Sequence, residues 1–441
     1  MALFGTDGVR GVAGVDLTSE LAHDLAVAAA HVLTDLGEFA GHKPKAVIAQ
    51  DSRESGAYLE EAIAKGLSES GVDVIRVGVL PTPAVSFLVT ELSLDLGVMI
   101  SASHNPATDN GIKFFARDGK KLADSVEAQV EAQLGKPWQP NGNRGEIRFD
   151  EGARESYIRY LLGTIHTDFK GLKIVVDCAN GAASFVAPEV LRRAGAEVIA
   201  ISDKPSGKNI NENCGSTHLE NLIAKVKSES ADIGIAHDGD ADRVLAIDHE
   251  GNIVDGDYIL GILADHTELP TKKIVGTVMT NLGLIRALEK RGIGFAATPV
   301  GDRYVLEKML AEGHMLGGEQ SGHVIMRKFA ITGDGILTAL HLVSEVVQSK
   351  KSLKELASFL ERYPQVLINV KGVDKSRLNS NSVIKKRITE IESELGSSGR
   401  VLLRASGTEP VIRVMIEAQS QDKAEGFASA LAALVKSELA L

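Results

Sequence analysis

The sequence predicts an α/β protein of four domains: three related βαβ-type domains with mixed sheets, then a smaller C-terminal α+β domain. Three observations carry this. One unit, made of an apolar run, a helical stretch, a glycine and a second apolar run, recurs three times. Strand, helix, C-terminal glycine and strand in that order mark a βαβ crossover. After Gly372 the unit does not recur. A chain of 441 residues also exceeds one compact domain, and length alone suggests about three domains.

The first unit opens with Lys45-Ala46-Val47-Ile48-Ala49. It continues through a helix from Tyr58 to Ser70, ended by Gly71, and closes on Val72-Asp73-Val74-Ile75. Pro137 to Asn143 is rich in breakers and reads as a surface loop rather than a linker. A helix from Tyr157 to Leu162 leads into the second unit, which opens with Lys173-Ile174-Val175-Val176 and has Gly195 before Ala196-Glu197-Val198-Ile199. Near Gly251 it gives way to the third, with Lys273-Ile274-Val275-Gly276 and with Gly292 before Ile293-Gly294-Phe295. Tyr363-Pro364 is expected to end a helix before the run Val366 to Val370. Beyond Gly372, a helix from about Ser382 to Leu395, a strand Val401 to Leu403, a loop, a strand Val411 to Ile416 and a last helix make a small α+β module. The expected domains are 1–155, 156–252, 253–368 and 369–441. One long sheet with helices on both faces is the competing arrangement.

Composition narrows the function. Hydrophobic residues at 44% and charged residues at 24% are ordinary globular usage, so disorder is not expected. The 44 glycines fit many tight loops. A net charge of −11 argues against nucleic acid or an anionic membrane as partner, though a local basic pocket could still take a phosphate. Two cysteines, Cys178 and Cys214, make neither a disulfide framework nor a zinc pattern and fit a reducing cytoplasm. Met1 to Thr6 has no signal-peptide character, and no apolar run nears the roughly 18 residues of a membrane span. A soluble, cytoplasmic protein is expected.

Four loops carry candidate chemistry. Between strand Val98-Met99-Ile100 and a strand starting at Asn110 lies Ser101-Ala102-Ser103-His104-Asn105-Pro106. It holds Ser103 and His104, with Lys113 just beyond. A serine becomes a nucleophile only when it is oriented and its proton has an acceptor; the plain alternative is a turn, which favours the same residues. After strand Ile233 to Ala236 comes Asp238-Gly239-Asp240-Ala241-Asp242-Arg243. The D-x-D-x-D spacing also opens an EF-hand, but the sixth position here is Arg243 and the twelfth His249, where glycine and glutamate are required. In an extended strand, alternate side chains would stand about 6.6 Å apart, too far for one small cation. A curled loop, allowed by Gly239 and Ala241, could gather three oxygens suited to magnesium and a phosphate oxygen. An exposed acidic turn is the alternative.

Gly317-Gly318-Glu319-Gln320-Ser321-Gly322-His323 offers a carboxylate, a hydroxyl and an imidazole suited to sugar hydroxyls, or a decorated β-turn. Arg404-Ala405-Ser406-Gly407-Thr408-Glu409-Pro410, with Arg413 shortly after, offers a phosphate cradle or a hairpin turn.

With Phe4-Gly5-Thr6-Asp7-Gly8-Val9-Arg10-Gly11, the loops at 101–106, 238–243, 318–323 and 404–410 resemble the α-D-phosphohexomutase superfamily. They follow its usual order and span nearly the whole chain. Within it, the starting block, the Gly-Glu-Gln-Ser-Gly-His loop and the length are most similar to the members acting on glucosamine phosphates. Ala241 stands where that family usually has glycine, which is tolerable unless the position needs positive φ. His237 stands where an aromatic is common.

The resemblance implies an active-site cleft between four domains and an isomerase that carries phosphate on Ser103. It implies one Mg²⁺ on Asp238, Asp240 and Asp242, bound also by the Ser103 phosphate. Glucosamine 6-phosphate would be held by Arg404, Ser406, Gly407, Thr408 and Arg413 and would take the phosphoryl group at O1. The 1,6-bisphosphate would turn around and return its 6-phosphoryl group to Ser103, leaving glucosamine 1-phosphate for UDP-N-acetylglucosamine and cell-wall precursor synthesis. Arg243, Asp302, Glu319, Ser321 and His323 would serve the sugar. Arg10, His104 and Lys113 are the candidates for proton transfer. Glucose or glucosamine 1,6-bisphosphate would be the activator, and the resemblance leaves room for a homodimer. A phosphoglucomutase or phosphomannomutase with the same chemistry is the nearest alternative. An idle sugar-phosphate binder and a metal-dependent phosphatase are further ones.

Overall fold

A computed structural model describes residues 3–5, 7–138, 142–406 and 410–441. It contains four separate sheets rather than one long one. The run at 46–49 is apolar on every residue because strand Lys45–Gln50 is covered on both faces there. Ala46 and Ile48 meet Leu25, Leu59 and Ile63 of helices Ser19–Asp35 and Gly56–Glu69. Val47 and Ala49 meet Val85 and Leu88 of helix Thr82–Glu91. Lys45–Gln50 pairs in parallel with Asp73–Val79 and Leu96–Ile100. Asp109–Ala116 then runs antiparallel to Leu96–Ile100, and Gly8–Val12 antiparallel to Asp109–Ala116. The hairpin turn between Leu96–Ile100 and Asp109–Ala116 is the serine loop.

The second sheet is built on the parallel trio Ile233–His237, Lys173–Asp177 and Glu197–Ile201, extended antiparallel by Val244–Asp248. The third pairs Lys273–Thr277 in parallel with Gly294–Thr298 and Leu316–Gly318. Each of the three loops of interest follows the C-terminal end of a strand: 101–106 after Leu96–Ile100, 238–243 after Ile233–His237, and 319–323 after Leu316–Gly318. That end is where open α/β sheets collect ligands.

One continuous core runs through the first three domains, from Val47 and Val85 through Tyr157 and Ile235 to Ile259 and Leu340. Helix Gly335–Ser349, buried along most of its length, packs on the second-domain strand Val244–Asp248 as well as on helix Gly256–Ala264. The fourth sheet is antiparallel, with Val411–Glu417 between Gln365–Lys371 and Arg400–Ala405. Its core is its own, with Ile384, Ile391, Ile412, Val414, Leu431 and Val435.

Three expectations shift. The boundary at 155/156 falls inside helix Ala153–Gly163, and that at 368/369 inside strand Gln365–Lys371, which belongs wholly to the fourth sheet. The helix expected to end at Tyr363-Pro364 stops at Ala357. Among the described residues, no helix is long and apolar enough to cross a membrane.

Candidate active site

The serine loop and the aspartate loop come from different domains and meet at hydrogen-bond distance. Ser103 Oγ donates to Asp238 Oδ2 at 2.6 Å, and His104 Nδ1 lies 3.3 Å from the same hydroxyl. Close approach of the backbones makes this possible. A Cβ on Gly239 would stand 2.6 Å from the Ser103 carbonyl oxygen, so only glycine fits there. Ser103 has φ +52°. That conformation is held from several sides. Its N–H donates to Ser101 Oγ at 2.9 Å, and its carbonyl accepts from Arg53 Nη2 at 3.1 Å and Asn211 Nδ2 at 2.8 Å. Ser101 in turn donates to Asp51 Oδ2 at 2.5 Å, and Asp51 pairs with Arg53.

The aspartate loop is curled. Ala241 takes φ +55° and donates its N–H to the Asp238 carbonyl at 3.1 Å. So the position does need the left-handed region, and alanine occupies it. The curl brings one oxygen from each of Asp238, Asp240 and Asp242 within 4.8 Å of one another, all three side chains buried. Asp240 Oδ2 accepts from Thr82 Oγ1 at 2.6 Å and Lys113 Nζ at 2.9 Å. Asp240 Oδ1 and Asp242 Oδ1 are buried without a hydrogen-bond partner among the described residues. Two orphaned carboxylate oxygens beside a third carboxylate fit a hard divalent cation.

The electrostatics agree with the geometry. Burial, then its neighbours Asp242 and Asp240, push the Asp238 carboxyl well above the usual range. Despite burial, the Lys113 ammonium holds Asp240 well below it. Asp7 is also held low against burial, by Lys113, Lys121 and Arg10. Lys113 lies 3.1 Å from Asp7 Oδ2 and is 1% exposed; its two acids raise its pKa against burial, so it is a cation. Burial, then Arg243 and Arg10, lowers His104, which favours the neutral ring.

The third domain closes the other side. His323 Nε2 accepts from Gly333 N–H at 3.0 Å, and its Nδ1 faces Asp242 Oδ2 at 3.5 Å. Asp302 lies 3.8 Å from His323 Nε2. Glu319 Oε1 accepts from Gly301 N–H at 3.1 Å. Arg243 reaches toward His104 Nδ1 at 3.4 Å and Asp242 at 3.7 Å. Ser321 is exposed at the loop's tip.

Ser103, His104, Lys113, the three aspartates, Arg243, Asp302, Glu319 and His323 are thus drawn into one region, with Arg10 joined to it through its pair with Asp7. Arg404 and Arg413 sit opposite each other on adjacent strands of the fourth sheet, and the Ser406 carbonyl accepts from Lys375 Nζ at 2.8 Å. Gly407 and Thr408 lie outside the described residues. Asp7, Asp51, Arg53, Thr82, Asn211 and Lys121 escaped the sequence reading. Asp51 and Arg53 carry one available signal, since they follow the C-terminal end of a parallel strand. Thr82 and Asn211 carry none, because only the meeting of two domains gives them a role.

Family models described as phosphoglucomutase/phosphomannomutase domains match in order: domain I over residues 1–139, II over 155–251, III over 255–363 and the C-terminal domain over 367–434. The chain belongs to the phosphoglucomutase/phosphomannomutase family. It is 55% identical to a Cutibacterium acnes protein named phosphoglucosamine mutase, covering 100% of this chain and 99% of the relative. It is 54% identical to one of the same name from Thermobifida fusca, with the same coverage. Among solved structures, a family member from Burkholderia thailandensis superposes with TM-score 0.83 at 24% identity, over 99% of this chain and 97% of that one. Aspergillus fumigatus N-acetylphosphoglucosamine mutase, in complex with GlcNAc-6P and magnesium, gives 0.71 at 18% identity, over 99% and 95%. These two likenesses concern the fold alone.

Proposed function

We infer that the chain is a phosphoglucosamine mutase, an isomerase interconverting glucosamine 6-phosphate and glucosamine 1-phosphate through a phosphoserine and a 1,6-bisphosphate. One observation carries the mechanism: the Ser103 hydroxyl stands 2.6 Å from a buried carboxylate of a three-aspartate cluster supplied by another domain. The names of the full-length relatives support the amino sugar as substrate.

Asp238, Asp240 and Asp242 would hold Mg²⁺, which when bound neutralises charge on a transferring phosphoryl group. The chain's own residues account for the rest. The pinned backbone aims the Ser103 Oγ at the cluster. Arg10 and Lys113, on the first sheet, and Arg243 supply positive charge near the phosphoryl group. His104, its pKa lowered by burial and 3.3 Å from Ser103 Oγ, is placed to accept a proton. Lys113 is pinned as a cation and suits charge stabilisation better than proton abstraction. Glu319, Ser321, Asp302 and His323 would address the ring. Arg404, Ser406, Gly407, Thr408 and Arg413 would grip the distal phosphate. A bisphosphate of glucose or glucosamine would load Ser103 at the start.

The test is a coupled assay with glucosamine 6-phosphate, glucose 6-phosphate and mannose 6-phosphate, run with Mg²⁺ and a trace of glucose 1,6-bisphosphate. Glucosamine 6-phosphate should give the highest kcat/KM, with no inorganic phosphate released. Equal or better turnover of glucose or mannose phosphate would favour a phosphoglucomutase or phosphomannomutase. Stoichiometric phosphate release would point to a phosphatase.

A further inference from the structure

Outside the residues given a part above, Lys121 is a largely buried cation that spans two domains. Lys121 lies just beyond strand Asp109–Ala116, and its side chain is 10% exposed. Its ammonium donates to Asp302 Oδ2 of the third domain at 2.7 Å and to Asp7 Oδ1 of the first. Asp7 also holds Lys113, which reaches Asp240. A run of alternating charges therefore leads from the aspartate cluster across the domain boundary to Asp302. Asp302 opens helix Asp302–Glu312, and the N–H of the preceding Gly301 donates to Glu319 Oε1 at 3.1 Å. Arg303, beside it, fastens the same helix end to the first domain through the Leu122 carbonyl at 3.0 Å and Glu127 Oε2 at 3.1 Å.

Such an arrangement is a poor device for stability. Immobilising a lysine costs rotamer entropy, and burying three charges costs desolvation that a well-packed apolar contact avoids. It is a good device for register. One ammonium between carboxylates of two domains holds their separation, since Asp302, 18% exposed, has beside it only His323 Nε2 at 3.8 Å among the described basic groups.

We propose that Lys121 is a positioning residue: by holding Asp302 against Asp7 it sets the turn at 301–302, and through the Gly301 amide it fixes the Glu319 carboxylate relative to Ser103. The proposal rests on the reading of Asp302 and Glu319 as groups that face the sugar.

The test is steady-state kinetics with glucosamine 6-phosphate on Lys121→Met, Lys121→Gln, Lys121→Arg, Asp302→Asn, Glu319→Gln and the double variant Lys121→Met/Asp302→Asn. Thermal melting and the phosphate load on Ser103 are measured beside it. Lys121→Met and Lys121→Gln should lose about tenfold to a hundredfold in kcat/KM, chiefly as raised KM, with Ser103 still loaded. Lys121→Arg should return to within about fivefold of wild type, since it keeps the charge with altered shape. The double variant should be no worse than its more damaged parent. Lys121→Gln keeps a donor and a similar length, so it decides the matter should Lys121→Met fail to fold. Additive losses in the double variant, or full activity in both neutral variants, would overturn the proposal. Losses in Asp302→Asn and Glu319→Gln without any in the Lys121 variants would overturn it alone. Unchanged kinetics in Asp302→Asn and Glu319→Gln would overturn the sugar-loop reading and the proposal with it.

Discussion

Ser103 and Ala241, like Asn211 beside them, hold left-handed backbone, a conformation costing about 1–2 kcal/mol for a residue such as serine or alanine. Ser103 is compensated by donors on its carbonyl, and its hydroxyl is the group the proposed chemistry needs. Ser103→Ala should lower turnover by about a thousandfold or more, because the covalent route is lost; peptide mass spectrometry of the active wild type should find phosphate on Ser103. Ala241 brings no side-chain chemistry. Ala241→Gly should raise stability by up to about 1 kcal/mol in urea unfolding with metal-dependent activity retained. A third residue gives a pH signature away from the cluster. His341 packs on Phe329 with the rings tilted by 33° and centroids 4.7 Å apart, and burial, then Lys328, depresses it to about 4. The unfolded state, with an imidazole pKa of about 6.5, takes up the proton first. Stability from this group is therefore complete above about pH 6.5 and declines as pH falls toward 4, by at most about 3 kcal/mol. Comparing urea unfolding of the wild type and His341→Phe at pH 7.5 and 5 tests this: the variant should lose less on acidification.

At the scale of elements, the loop 238–243 and the fourth-domain hairpin divide the work. The first presents orphaned carboxylate oxygens, so Asp240→Asn should weaken Mg²⁺ binding in calorimetry and cut activity by about a hundredfold or more. An unchanged Mg²⁺ dependence would remove the loop from the metal site. The second pairs Arg404 with Arg413 across adjacent strands, where burial and then the neighbouring Arg413 lower the Arg404 pKa. Two cations held side by side suit a dianionic phosphate. Arg413→Ala should weaken substrate binding by about 1.5–3 kcal/mol, one to two decades in KM, with Ser103 still able to carry phosphate. Loss of Ser103 phosphorylation at constant KM would contradict the assignment.

Across the whole molecule, three domains share one core and the fourth has its own. The joint is polar. Glu417, fully buried, accepts from Leu282 N–H at 3.2 Å and Arg400 Nε at 2.5 Å, and Asn281 holds both the N–H and the carbonyl of Tyr363. A hinge near Gly372 is the natural expectation from the change of pattern there. Gly372 lies beyond the first strand of the fourth sheet, and the adjoining Val373 bridges Ala440 within the same domain. A hinge therefore belongs at the junction 363–365, between Tyr363, tied to Asn281, and the strand Gln365–Lys371. A bisphosphate that must turn around needs a grip that loosens and re-forms. Small-angle scattering should show a smaller radius of gyration when glucosamine 6-phosphate and Mg²⁺ are added, and no change would speak against closure by the fourth domain.

What was legible in the sequence was local. The apolar runs, their glycine stops and the change of pattern after Gly372 depend on neighbours in the chain, so the four-part α/β plan and the places of the loops at 101–106, 238–243 and 317–323 could be read directly, while the roles of those loops came from the family resemblance. The failure of the EF-hand spacing and the need for a curled loop followed from covalent geometry alone. The tertiary structure decided everything that two domains make together. Asp238 meets Ser103 across 135 positions, Thr82 meets Asp240 across 158 and Lys121 meets Asp302 across 181. No periodicity encodes such separations. Burial completes the difference, because it makes an unpaired carboxylate costly enough to imply a cation and turns Lys121 from one lysine among many into a bridge between domains.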